Sequence, residues 1–418
     1  MSFASRPPLE PRARIAGVDL AGMRSLLTPE GWGLLQSLPA YDEGSAMALG
    51  ERLRAQGHDP ALVAAALTQS RLRLRGRDKL GSFAEAMVFT PDGLEQATRL
   101  SVAAHHARRY VGAGCTRVVD LGCGLGSDAM AFAGLDREVL AVDCDELTAA
   151  LAAVNLRHWP DAVVRCADVT TLDLDAELGA GDGVWLDPSR RTPRGAGSRR
   201  TFDPESFSPP YSFVLDVMRR VPASGAKLAP GIAHHLLPPA AEAQWVSVAG
   251  DVVECALWSG TLAREGVSRS ALLLDGTGSA HELVGDPSVA RAHVLPVGGF
   301  LHEPDGAVIR AGLLADVAAQ LGAHLIDPTL AYLSSDRAAD SPFVRSYAVE
   351  DVMTFNLKAL RTYLRDRDVG RVTIKKRGSA LDPDVLRRQL RLSGSGEATI
   401  VLTRLAGQPS VLLVRPLH

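Results

Sequence analysis

The sequence predicts an α/β protein: a parallel, doubly wound sheet, preceded by a helical N-terminal region and followed by a smaller α/β C-terminal domain. Three observations carry that expectation. From Arg117 to Asp128 the chain reads Arg-Val-Val-Asp-Leu-Gly-Cys-Gly-Leu-Gly-Ser-Asp, a strand, a tight turn and a helix start. Beyond it strands and helices alternate regularly, the pattern of a parallel sheet. The chain's 418 residues, 46% hydrophobic and 22% charged, suffice for two or three domains with buried cores and exclude overall disorder.

Taken in order, the first hundred residues read as helical. Leu26, Leu34, Leu35 and Leu38, then the alanine-rich run from Asp59 to Leu67, place apolar residues three and four apart, with Pro39 and Gly57 as breaks. From Arg71 to Lys79 arginine alternates with leucine. A solvated amphipathic face and a phosphate-contacting strip both fit this stretch. Thr90-Pro91-Asp92-Gly93 supplies an N-cap, a proline at the first helical position and an acid in the first turn. The helix it opens is expected to run through Leu94, Ala97, Leu100 and Ala104 to Gly112 or Gly114, with Phe89 and Thr90 as wall residues of a site.

The core is expected over 101–275. Its strands are predicted at 117–121, 138–143, 162–167, 183–186 and 226–228, with helices at 146–157 and 211–220. The runs at 251–258 and 270–274 read as a terminal antiparallel pair. Residues 276–312, punctuated by glycine and proline, read as a connector, and 313–418 as a separate α/β domain. That domain is expected to hold a strand at 371–378 ending in Lys375, Lys376 and Arg377, a helix at 383–390, and strands at 398–403 and 410–414.

Charge and cysteine usage bound the function. A net charge of -3 and a pI near 6.4 argue neither for nor against nucleic acid. Cys115, Cys123, Cys144, Cys166 and Cys255 show no C-x-x-C spacing, which points to a reducing compartment rather than to disulfides or zinc. No apolar run approaches the roughly 18 residues of a membrane span, so the expectation is a cytoplasmic protein without membrane contact. His234 and His235 lack a third ligand at metal spacing, and no metal is expected.

Glycines in the turn, Gly122, Gly124 and Gly126, allow positive φ and close approach of a ligand to the backbone. Such a turn alone fits a nicotinamide or flavin site, a methyltransferase motif or a crowded structural turn. Asp120, at the strand end beside Cys123, would repel a diphosphate and welcome a sulfonium and an ammonium, as in S-adenosylmethionine. Three further acids follow strand ends. Asp143, with Cys144 next to it, can accept two ribose hydroxyls. Asp168 can accept an adenine amine, with Val169 as an apolar face, and Asp187 lies where a transferable methyl would sit. Each acid taken singly also fits a helix cap.

Through Val-Asp-Leu-Gly-Cys-Gly-Leu-Gly, Asp143, Ala-Asp-Val and Asp-Pro, residues 85–275 resemble the class I S-adenosylmethionine-dependent methyltransferases. The resemblance implies a Rossmann-like seven-stranded methyltransferase core. More narrowly, the arrangement looks like bacterial methyltransferases with a helical N-terminal region and a C-terminal THUMP-like domain. Their catalytic region is similar to trimethylguanosine synthases and other nucleic-acid amine methyltransferases. Those enzymes carry Asp or Asn, Pro, Pro and an aromatic residue after strand four, where this chain has Asp187-Pro188-Ser189-Arg190-Arg191. Asp187 and the Pro188 carbonyl are expected to orient an amine. Arg190 and Arg191 are expected to hold an anionic or planar substrate, as a guanidinium can stack on a base or bind phosphate.

The loop 192–201, with Arg194, Arg199 and Arg200, is expected as a lid or phosphate clamp. Basic residues outnumber acids from Lys358 to Arg391, which fits either a solvated face or the RNA-holding module that the THUMP-like resemblance implies, Lys375, Lys376 and Arg377 included. The leading expectation is methylation of an RNA base, with no DNA partner and no assigned oligomeric state. The alternatives are methylation of a small anionic metabolite or a protein, and an RNA-binding protein that keeps the cofactor fold without turnover.

Overall fold

The computed structural model describes residues 20–189, 203–276 and 278–417. They fall into two compact units, 1–226 with 259–262, and 227–258 with 263–418. Among the described residues no helix is long and apolar enough to cross a membrane.

The first unit opens with α1 (Leu20–Leu26), α2 (Pro29–Ser37), α3 (Ala46–Ala55) and α4 (Pro60–Leu80). Thr28 and Asp59 cap α2 and α4 through their side chains, each followed by proline at the first helical position. The arginine-leucine alternation lies on α4. A period of two on a 3.6-residue helix scatters the leucines: Leu72 is buried, whereas Leu74 is exposed.

After α4 come α5 (Pro91–Gln96) and α6 (Leu100–Gly112), where one continuous helix was expected. Ala97 is extended, and Lys79 supplies the reason. Its Nζ donates to the carbonyls of Leu94 at 2.9 Å and Ala97 at 3.1 Å, taking acceptors that a continuing helix would need. Between α4 and α5, residues 86–89 form a strap held by side chains. Arg157 Nη1 donates to Ala86 O at 3.1 Å and Arg73 Nε to Met87 O at 2.9 Å. Asn155 accepts from Val88 N and donates to Val88 O at 2.8 and 3.1 Å, and Gln69 does the same for Phe89 at 2.9 and 2.6 Å.

The sheet of this unit is built from β1 (Arg117–Leu121), α7 (Ser127–Ala133), β2 (Glu138–Asp143), α8 (Glu146–Asn155), β3 (Ala162–Cys166), α9 (Leu174–Glu177), β4 (Asp182–Leu186), α10 (Tyr211–Arg220) and β5 (Ala223–Leu228). The order is β3-β2-β1-β4-β5, parallel throughout. Val118, Val119, Leu140, Val142, Val184 and Leu186 are buried. Burial of each such side chain stabilises by about 1.5–3 kcal/mol. Strand order reverses between β1 and β4, and ligands of open α/β sheets bind outside the strand ends at such a switch point.

In the second unit, β6 (Glu242–Val248), β7 (Asp251–Gly260), β8 (Arg269–Leu274) and β9 (Ala280–Val284) lie in the order β7-β6-β8-β9. This corrects the expected antiparallel pair. β7 and β8 do not pair with each other: β6 lies between them, antiparallel to β7 and parallel to β8. β6 begins with buried Glu242, whose carboxylate is neutralised by Arg264 Nη2 at 2.6 Å.

Then follow β10 (Phe300–Pro304), α11 (Gly306–Ala311), α12 (Leu314–Leu321), β11 (His324–Leu325), β12 (Leu333–Ser335), β13 (Val344–Thr354), α13 (Leu357–Asp366), β14 (Val369–Lys376), α14 (Pro383–Leu390), β15 (Gly396–Leu405) and β16 (Gln408–Pro416). Their sheet order is β11-β12-β10-β13-β16-β15-β14. The stretch read as a connector thus contains β9, β10 and α11. One core gathers Leu360, Leu364, Leu386 and Leu390 of α13 and α14 with Ile400 and Val411, and another gathers Leu301, Tyr332, Tyr347 and Leu412.

Candidate functional site

The glycine turn closes the carboxyl end of β1 by bonding to its neighbours. Gly122 and Cys123 donate through their amides to Val142 O at 2.9 and 3.0 Å, and Asp187 N donates to Leu121 O at 3.0 Å. Gly122, Gly124 and Gly126 all have positive φ, +89°, +55° and +84°. A Cβ on Gly122 would lie 2.7 Å from the Asp187 carbonyl oxygen, so β4 can end against the turn only because that side chain is missing. A Cβ on Gly124 would meet nothing within 4 Å.

Asp120 is fully buried in β1. Burial, reinforced by the charges of Asp120 and Asp143, pushes the Cys123 thiol well up. Asp143, half-buried at the end of β2, accepts from Gly124 N at 3.1 Å and Asp145 N at 2.9 Å. Burial raises its carboxyl above the ordinary range against those two bonds. The result is an oriented carboxylate beside an open backbone cradle.

Cys144 is exposed next to Asp143. Asp168 joins the same edge through the bond from Ala167 N to Asp143 O at 3.0 Å. Its exposed carboxylate caps the short turn Val169–Thr171, Oδ1 accepting from Thr170 N at 2.9 Å and Thr170 Oγ1 at 2.7 Å, and Val169 is buried. Asp187 is half-buried and Pro188 buried. Ser189 exchanges backbone bonds with Ser208 at 2.8 and 3.0 Å. Arg190, Arg191 and the expected loop 192–201 lie outside the described residues. The structure therefore brings the glycine turn, Asp143, Asp168 and Asp187 to one sheet edge.

On the N-terminal side stand Phe89 and Thr90, expected as wall residues. Phe89 is buried, and its ring would lie 3.3 Å from a Cβ on Gly76 of α4, so it belongs to the helical core. Thr90 caps α5, accepting from Gly93 N at 3.0 Å. α5 itself meets the turn: a Cβ on Gly93 would lie 2.8 Å from the Leu125 side chain.

Sequence reading also missed a buried network behind the turn. His106 Nδ1 lies 2.8 Å from Asp128 Oδ1, and Thr98 Oγ1 donates to Asp128 Oδ2 at 2.6 Å. The His106 ring sits 4.3 Å from that of Trp185, two residues before Asp187. This ties α6, the first turn of α7 and β4 together. Asp128 was visible in the motif as a first-turn acid, but nothing local marks His106 as its partner.

Of the C-terminal basic residues, Lys375 Nζ pairs with Glu303 Oε2 at 2.6 Å and lies over the Tyr347 ring. Arg377 Nη1 donates to Ala331 O at 2.9 Å, and its guanidinium lies over Tyr332. Lys376 is exposed and donates to Leu381 O at 3.2 Å. His234, expected as a loop residue, lies 2.6 Å through Nε2 from Arg310 O.

A buried acid, an open glycine cradle and an oriented carboxylate fit a cationic ligand carrying a vicinal diol. A diphosphate on the turn would be disfavoured by the charge of Asp120, two residues before Gly122.

Comparison with known proteins agrees with this chemistry. Residues 344–416 match the family described as THUMP domain-like, and 19–76 match a domain of unknown function. The chain is 36% identical over 343 residues to an uncharacterized S-adenosylmethionine-dependent methyltransferase of Mycobacterium tuberculosis, found alike in strains CDC 1551 and H37Rv. The match covers 80% of this chain and 90% of the relative. Its fold is similar to that of a crystal structure from Porphyromonas gingivalis W83 assigned as a methyltransferase, with a TM-score of 0.65 and 21% identity, over 91% of this chain and 100% of the other.

Proposed function

The chain belongs to the class I S-adenosylmethionine-dependent methyltransferases and carries a THUMP-like domain, and from that premise we propose that it methylates an amine of an RNA base. The cofactor supplies an electrophilic methyl group on a sulfonium. The residues of this chain do the rest. In this reading Asp120 and the glycine turn receive the cationic amino-acid end, Asp143 accepts the ribose hydroxyls, and Asp168 with Val169 receives the adenine.

Asp187 and the Pro188 carbonyl accept hydrogen bonds from the N–H groups of the acceptor amine, so that its lone pair faces the methyl in line. Most of the acceleration comes from that alignment in a water-poor cleft. Apposition of Gly122 and the Asp187 backbone is the observation that carries the reading, because the residue proposed to hold the amine then adjoins the turn proposed to hold the cofactor.

RNA as substrate is supported by the THUMP-like match and by the exposed bases of the same domain, among them Lys358, Arg365, Arg371, Lys376 and Arg388. The domain boundaries near 100, 275 and 313, and a cytoplasmic place of action without DNA, belong to the same proposal. One observation favours methylation of a small anionic metabolite instead: Lys375 is already spent on Glu303. Transfer of labelled methyl from the cofactor to separate RNA, protein and metabolite pools decides between them. Label in RNA alone supports the proposal, and label confined to another pool rejects it.

A further inference from the structure

Two of the four residues holding the 86–89 strap are arginines, and they place guanidinium groups on consecutive carbonyls, Arg157 on Ala86 and Arg73 on Met87. Both also lie over one indole. The Cζ atoms of Arg73 and Arg157 are 5.4 and 4.8 Å from the centre of the Trp32 ring.

Like charges held this close repel, and among the described residues no carboxylate pairs with either. Glu85, the carboxylate whose charge reaches Arg73, is engaged by Arg77 at 2.6 Å. Burial, with the Arg157 charge next, pushes Arg73 down to about 10. Arg73 Nη2 is buried and has no hydrogen-bond partner. A neutral donor could also hold Met87 O, and a guanidinium makes its strongest hydrogen bonds to an anion.

An aromatic pair adjoins it. Phe83 is 44% exposed and stacks on Trp159 with ring centres 6.3 Å apart and planes at 24°. Ala86, which accepts from Arg157, donates its own amide to Phe83 O at 3.0 Å. Exposed aromatic faces beside unpaired guanidinium groups are what a single nucleic-acid strand needs, a stack for a base and a partner for its phosphate.

We propose that Arg73 and Arg157, over Trp32, form an anion site that takes a backbone phosphate of RNA, with Phe83 and Trp159 receiving a neighbouring base. The site is built by the N-terminal helices and the segment that follows α8, and it shares no residue with the glycine turn. As an RNA site it rests on the substrate reading above, whereas as a phosphoryl-anion site it does not.

Two measurements on the full chain test it. Binding of a single-stranded RNA oligonucleotide is followed against salt for wild type, Arg157→Gln and Arg157→Lys, with thermal melts to show that each variant folds. Loss of one phosphate contact lowers the slope of log K against log salt by about 0.7. The expected result is that drop in Arg157→Gln, with the slope kept in Arg157→Lys. Separately, inorganic phosphate is expected to protect Arg157 of the wild type from phenylglyoxal.

RNA binding with an unchanged slope and no protection by phosphate overturns the site while leaving RNA as substrate. Protection by phosphate with no RNA binding keeps the anion site and rejects the RNA reading. Neither RNA binding nor protection overturns both.

Discussion

Gly122 and Asp187 touch backbone to backbone: a Cβ added to the glycine would lie 2.7 Å from the aspartate's carbonyl oxygen, at a φ of +89°. Gly122→Ala is therefore expected to be penalised twice, by about 1–2 kcal/mol for the left-handed backbone and again for pushing β4 from the turn. The check is a denaturation midpoint together with calorimetric cofactor binding. Stability and affinity should both fall, and an alanine variant with wild-type affinity would contradict the role given to this contact.

Asp143→Asn keeps the shape of the side chain and removes its charge. The amides of Gly124 and Asp145 bond different oxygens, Oδ2 and Oδ1, so one of the two bonds persists through the remaining oxygen and the other is lost, on a partly exposed side chain whose loss the fold should survive. Hydrogen bonds to a charged acceptor contribute about 1.5–3 kcal/mol, so S-adenosylmethionine affinity should fall by about tenfold or more. Equal affinity in titration calorimetry would remove Asp143 from the cofactor site.

For Asp187→Ala the expected split is different. Cofactor affinity should stay within about threefold of wild type, while turnover falls by about a hundredfold or more, as when a group that positions a reacting atom is lost. Steady-state kinetics on the accepting pool, with cofactor binding measured separately, shows whether the loss lies in kcat. Unchanged turnover would sink the assignment.

A pH effect is expected from Glu303. Burial alone would raise its carboxyl, but Lys375, Tyr347 and Arg377 together hold it below the ordinary 4.5. A carboxyl with a lowered folded pKa contributes stability above its unfolded value and loses it as pH falls through the folded value. The ammonium of Lys375 is raised above 10.5 despite burial, so its share is present below that value and lost as pH rises through the folded one. Glu303→Gln should cost about 1–3 kcal/mol at neutral pH and flatten the acid limb of a stability-against-pH curve. A variant that unfolds along the wild-type acid limb would show that the pair contributes nothing.

Asn155→Ala would leave the amide and carbonyl of Val88 and the carbonyl of Leu125 without their buried partner. A buried unsatisfied group costs about 1–3 kcal/mol, so a loss of about 3 kcal/mol is expected, read from urea midpoints. Because Leu125 belongs to the glycine turn, cofactor affinity should drop in the same variant. A loss of stability with intact affinity would confine Asn155 to the strap.

The glycine turn and the acids at the strand ends could be read from the sequence because their chemistry is local. Positive φ asks for glycine at Gly122, Gly124 and Gly126, and an acid at a strand end needs no distant partner to be noticed. Pro383 marked the start of α14 for the same reason. What escaped depends on residues far away in the chain. β6 opens on Glu242, which reads as surface until Arg264 is seen against it. The break between α5 and α6 is written in Lys79, fifteen residues upstream of Leu94. Arginines on α4 looked alike in sequence, yet Arg77 pairs with Glu85 while Arg73 lies half-buried over Trp32.

The strap at 86–89 also bears on how this protein is inherited and handled. Gln69 and Arg73 grip it from the N-terminal side, Asn155 and Arg157 from the side that follows β2. A catalytic piece cut free near residue 100 would carry Asn155 with nothing to grip at Val88 and a glycine turn that no longer leans on α5. The N-terminal helices are thus no detachable appendage: selection, expression and unfolding should all act on them and on the cofactor-binding half as one cooperative body.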